Sequence, residues 1–121
     1  MLSSTSTKNI TTNLDLNQFE FILQLESNTD KEFPNQFDPN KEDFLKNYTP
    51  KNKTWEDASN NYELAIKINK YTYSISQEMH GLQFVFSGTL DLNEAKDTMQ
   101  GIIQNLEQGK GLKTKFIITG K

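Results

Sequence analysis

The sequence predicts an α+β fold: a mixed, mainly antiparallel sheet of four to five strands, with one C-terminal amphipathic helix packed on one face and a short helix in the middle segment. Three features predict it. Between residues 62 and 88, apolar and polar residues alternate in three short runs joined by hairpin-length links. From Leu92 to Leu106 the apolar residues instead fall at 3.6-residue spacing. A final alternating run follows at 112–119.

In chain order, residues 1–12 are small and polar and read as a flexible tail, leaving 13–121 as a single domain. The string LDLN occurs at 14–17 and again at 90–93, and its neighbours give the two copies different meanings. At the first copy, Asp15 and Gln18 have the spacing of a helix capping box. Phe19, Phe21, Leu23 and Leu25, however, alternate with Glu20, Ile22, Gln24 and Glu26. A helix would spread Phe21, Ile22 and Leu23 around its circumference, so the strand is preferred.

Residues 27–61 are the least regular third. Asp38-Pro39 is an N-cap and first-turn pair that opens a short helix near 39–47, with Phe44, Leu45 and Tyr48 as its buried stripe and Pro50 as its stop. Phe33, Phe37 and Trp55 are expected to pin the surrounding loops to the core. Three strands follow: Tyr62, Leu64, Ile66 and Ile68 alternate, then Tyr71, Tyr73 and Ile75, then Leu82, Phe84 and Phe86. Asn69-Lys70 and residues 78–81 are the two turns.

The second LDLN opens the long helix. Asp91 is its N-cap, with Glu94 at the reciprocal position. Leu92, Ala95, Met99, Ile102, Ile103 and Leu106 form its apolar stripe, and Gly109 is the expected C-terminal glycine. The last strand, 112–119, buries Leu112, Phe116 and Ile118. A strand–helix–strand crossover makes it run in the direction of 82–88. The sheet face away from the helix then carries Glu63, Lys67, Thr72, Ser74, Ser76, Gln83, Ser87, Lys113 and Lys115, interrupted by Ala65, Val85 and Ile117.

Composition narrows the function classes. Val, Ile, Leu and Phe total 30 of 121 residues, above the roughly 20% typical of disordered chains. There is no cysteine, so disulfides and thiolate metal sites are excluded. The start has no apolar run suited to a signal peptide, and no later run could span a bilayer as a helix. A cytoplasmic location is the default. Asn9, Asn47 and Asn52 then match the glycosylation pattern by chance. All 13 cationic residues are Lys and the net charge is −3, which disfavours nucleic acid as a partner. Usage rich in Asn, Lys, Ile, Phe and Tyr points to AT-rich codons, and so to a bacterial or phage origin.

Candidate chemistry is sparse. The only histidine, His80, lies two residues from Glu78. Together they could act as an oriented general base, although a His before Gly is ordinarily a turn residue. One imidazole and no thiolate cannot build a structural zinc site. The Asp/Asn-rich stretch 28–43 lacks the register and glycine of a calcium loop. The lysines and glycines of 109–115 follow a helix instead of opening one, so they do not form a phosphate cradle. No cofactor is implied.

Charge distribution stands out instead. Residues 26–57 hold eight acids against five lysines, while 107–121 hold four lysines against Glu107. An acidic, aromatic-bearing segment suits a basic protein partner. Glu42, Asp43, Tyr48, Trp55, Glu56 and Asp57 are its candidate contacts. The expectation is a non-catalytic protein-binding module, such as a small cytoplasmic inhibitor or immunity-type protein that neutralises a toxin or host factor. The alternative is a small-molecule-binding domain or small enzyme with a pocket between sheet and helix, using Tyr71, Tyr73, Glu78 and His80. A further alternative is a subunit of a larger assembly that uses its polar sheet face or the edge strand 112–119.

Overall fold

The computed structural model describes residues 16–26, 45–79 and 81–120. The expected tail at 1–12, Phe33, Phe37 and residues 39–44 of the expected short helix lie outside the described residues; residues 45–47, its end, are helical. Six strands and one long helix make up the rest: β1 (Leu16–Leu25), β2 (Glu56–Asp57), β3 (Leu64–Ile68), β4 (Tyr71–Glu78), β5 (Gly81–Thr89), α1 (Leu92–Lys110) and β6 (Thr114–Gly120). They form one sheet in the order β2-β3-β4-β5-β1-β6.

The α+β prediction holds, with two corrections. Among the described residues the strands number six, because Glu56–Asp57 adds a two-residue edge strand beside β3. Every adjacent pair is antiparallel, so the sheet is not mixed. β6 nonetheless has the direction that the crossover implies. β1 is inserted between β5 and β6 and is antiparallel to both, so the crossover through α1 carries the chain over one strand and β6 runs the same way as β5.

Period-two alternation makes β1 a strand, and its place between β5 and β6 explains why its inward side is so apolar. Cross-strand rows on that side run Ile66–Tyr73–Phe86–Phe19 and Leu64–Ile75–Phe84–Phe21–Ile118. Phe86 is the hub of the aromatic packing. Its ring lies 4.9 Å from Tyr73 and 5.5 Å edge-on from Phe21, distances at which rings attract beyond simple burial.

Helix α1 covers these rows with Ala95, Thr98, Met99, Ile102, Ile103 and Leu106. It begins as expected: the Asp91 carboxylate accepts the Glu94 N–H at 2.8 Å. It ends two residues later than expected. Gly109 stays helical, and Gly111 takes the left-handed conformation at φ 69°. Leu112 decides between the two glycines. It is buried, and its N–H reaches the Leu106 carbonyl at 3.2 Å beside the bond from the Gly111 N–H to the Glu107 carbonyl (3.0 Å), a left-handed glycine cap with an apolar residue after it.

One helix does not cover six strands. Residues 45–55 run beside α1 and complete the second layer. Leu45, Tyr48 and Pro50 are buried and Trp55 packs partly on the core. Asn105 of α1 donates from Nδ2 to the carbonyls of Lys46 (2.6 Å) and Thr49 (3.0 Å), and Lys53 pairs with Asp97 at 2.9 Å. The contact closes around Gly101. A β-carbon there would lie 2.9 Å from Pro50 Cβ and closer still to the Asn52 amide oxygen, so a bare helix position is what lets the segment approach.

Candidate functional site

Among the described residues, the members of the two sets singled out by sequence are not gathered into single sites. Of the acidic-aromatic set, Glu42 and Asp43 lie outside the described residues. Glu56 and Asp57 are exposed on the edge strand β2. Trp55 is half-buried against the core. Tyr48 is fully buried, which corrects its reading as a surface contact. The same apolar stripe that builds the short helix, Leu45 and Tyr48, turns it inward over Phe84, ring to ring at 6.3 Å.

Of the pocket set, His80 lies outside the described residues and Glu78 is exposed at the end of β4. Tyr71 and Tyr73 fill the layer between sheet and helix as core residues. Their hydroxyls have internal partners: Tyr73 donates to the Tyr48 carbonyl at 2.7 Å. The Thr98 hydroxyl donates its one proton to the Glu94 carbonyl, so Tyr71 is the donor in its 2.7 Å bond to Thr98.

Burial holds all three phenols, Tyr48, Tyr71 and Tyr73, above the ordinary tyrosine range by disfavouring the phenolate. The unfolded chain loses these protons near pH 10 while the folded chain keeps them, so their stabilising effect is complete below pH 10 and is lost as pH rises above it. Each tyrosine removes up to about 1.4 kcal/mol per pH unit in that range. In a Tyr62→Phe background, phenolate absorbance and loss of far-UV dichroism should therefore rise together in one alkaline step. Reversible ionisation of the three phenols in a chain that stays folded would contradict their burial.

Among the described residues, no second layer covers the opposite face of the sheet. Its rows run Lys67–Thr72–Ser87–Gln18, then Ala65–Ser74–Val85–Glu20, then Ser76–Gln83–Ile22–Ile117. The eight positions read from sequence on β3, β4 and β5 (Ala65, Lys67, Thr72, Ser74, Ser76, Gln83, Val85 and Ser87) are all there, and β1 adds Gln18, Glu20, Ile22 and Gln24. A hollow of about 620 Å³ lies on this face, lined by Tyr62, Glu63, Ser74, Ser76, Gln83 and Val85 among others. A smaller one of about 190 Å³ shares Glu63, Ser74 and Val85 with it and continues toward Gln18 and Ser87.

The wall of the hollow is a loop that alternation alone reads wrongly. By period two Tyr62 belongs to the strand and faces the core; instead β3 starts at Leu64 and Tyr62 is 96% exposed. Side-chain turn chemistry takes over at Ser59-Asn60-Asn61. The Asn60 amide oxygen accepts the Tyr62 N–H at 2.8 Å, the Asn60 N–H donates to the Glu63 carbonyl at 3.0 Å, and the Ser59 hydroxyl accepts the Ala65 N–H at 2.9 Å. Consecutive Ser and Asn residues before an alternating run were the available signal.

The hollow is acidic. Glu63 lines it, and Glu20 and Glu78 flank it, tied to the lining by the bond from Gln83 Nε2 to Glu20 (3.3 Å) and from the Ser76 hydroxyl to Glu78 (3.2 Å). Lys67 lies one row away but faces Glu56 across the β2–β3 pair. The surface can thus accept hydrogen bonds and positive charge beside one bare aromatic ring. Among the described residues, no three histidines or acidic side chains are close enough to share a metal ion, and no helix is long and apolar enough to cross a membrane. No protein-family model, curated protein sequence or solved structure matches the chain.

Proposed function

We propose that the chain is a non-catalytic protein-binding module, an inhibitor or immunity-type protein of the cytoplasm, that holds a basic partner protein on the open face of its sheet. One observation carries this reading: the fully exposed Tyr62 stands at the rim of an acidic hollow. A tyrosine left bare beside carboxylates has the composition of a contact centre for Lys or Arg side chains, which take up both the negative charge and the face of the ring. The docking surface thus moves from the 42–57 segment to the β3–β5 face, with Glu56 at its margin.

The test is capture of the partner by the full chain, with mass identification, at increasing salt and with paired variants. Tyr62→Ala with Glu63→Lys should weaken capture at least tenfold, and Lys96→Glu on the helix side should leave it unchanged. A captured protein that is acidic, binds independently of salt or survives the Tyr62/Glu63 double change would contradict the reading. The volume of the hollow supports a second reading, since it falls within the ~300–1,000 Å³ of small-molecule sites. A metabolite that raises the melting temperature of the parent chain but not of the Val85→Lys variant would favour that reading.

A further inference from the structure

We propose that β6 is a self-association edge, along which two copies of the chain pair antiparallel about a two-fold axis at Phe116. The two edges of the sheet differ sharply. β2 is two residues long and presents two exposed acids, Glu56 and Asp57, which is how natural sheets keep an edge from pairing. β6 runs for seven residues, TKFIITG, with a single charge. Among the described residues its only strand neighbour is β1, so its outward N–H and C=O groups face no ladder.

Its side chains favour pairing as well. Ile117 and Ile118 point to opposite faces of the sheet, and each is 46% exposed. This corrects the expectation that Ile118 is buried: among the described residues it ends the Phe84–Phe21 row. The ladder with β1 is regular from Thr114 to Ile118, and the register then shifts so that Thr119 is an extra residue before Gly120. A second copy therefore has five regular positions to pair with, and Phe116 is their midpoint.

About that point Phe116 meets its own copy, Thr114 meets Ile118, and Lys115 meets Ile117. Both exposed isoleucines are covered, the Phe21–Phe116 edge contact (5.5 Å) is extended into the second molecule, and no two lysines face each other. The Lys115 stem lies over Ile117 with its ammonium group in water. A two-fold axis of this kind stands normal to the sheet. Both helical layers then lie on one side and both acidic hollows on the other, in one continuous surface.

The register permits a test by charge reversal at one exposed position. Sedimentation equilibrium of the full chain over a range of concentrations should fit a monomer–dimer equilibrium. Ile117→Lys sets an ammonium opposite Lys115 of the second copy on each side of the axis, whereas Ile117→Glu sets a carboxylate there. Loss of the isoleucine is common to both, so their difference reports the pairing. The Lys variant should dimerise at least roughly tenfold more weakly than the Glu variant, from two cross-strand charge pairs. Far-UV dichroism confirms that both stay folded. A parent chain that is monomeric at every concentration, a mass that grows without limit, or equal dimerisation of the two variants would overturn the proposal.

Discussion

Gly88→Ala should cost roughly 3–5 kcal/mol of folding stability, a large share of what a domain of this size has. The residue sits inside β5, where it opposes both Tyr71 of β4 and Asn17 of β1. Its φ is +131°, a conformation that side chains other than hydrogen rarely adopt. A β-carbon built there lies 2.6 Å from the Lys70 carbonyl oxygen and 2.8 Å from Tyr71 Cα. Both are main-chain atoms held in the sheet, so no side-chain rotation relieves the clash. Moving them would break the bond from the Thr89 N–H to that same Lys70 carbonyl (3.1 Å) and shift Tyr71, whose ring packs on Phe86. The denaturant midpoint measures the effect. A midpoint within error of the parent would mean that β4 and β5 do not meet at this position as described.

The sequence showed the elements more clearly than their neighbours. Alternation and helical spacing located five of the six strands and the long helix, because each buries one face and so repeats with a definite period. The sixth strand, Glu56–Asp57, has no period to detect in two exposed residues. The insertion of β1 between β5 and β6 was not legible either: strand direction follows from the crossover, but a strand separated by more than fifty residues in the chain leaves no local mark of where it pairs. The site was less legible than the fold. Tyr48 satisfied two patterns at once, a buried helical stripe and an aromatic in an acidic segment, and burial of a whole ring outweighs a surface preference. Tyr62 also satisfied two patterns, and there the Ser-Asn-Asn turn outweighed alternation.

Among the described residues, one face of the sheet holds the core while the other carries the proposed docking surface. Phe84 and Val85 are adjacent in β5 and point to opposite faces. Phe84 is fully buried among Tyr48, Tyr73 and Phe21; Val85 is half-buried in the middle of the open face, opposite Ser74 and Glu20. A lysine at position 84 would place an ammonium group in the core with no acidic partner, at a cost of several kcal/mol beyond the lost ring. A lysine at 85 can lay its stem along Ile22 and Ala65 and reach water near Glu20 or Glu63, with a change of at most about 1 kcal/mol.

Denaturant unfolding of this pair of variants is the most direct measurement. Phe84→Lys should leave no folded baseline, while Val85→Lys should unfold cooperatively close to the parent midpoint. If Val85→Lys also failed to fold, the supposedly open face would be a second buried layer, and neither the hollow nor the docking surface could exist as described.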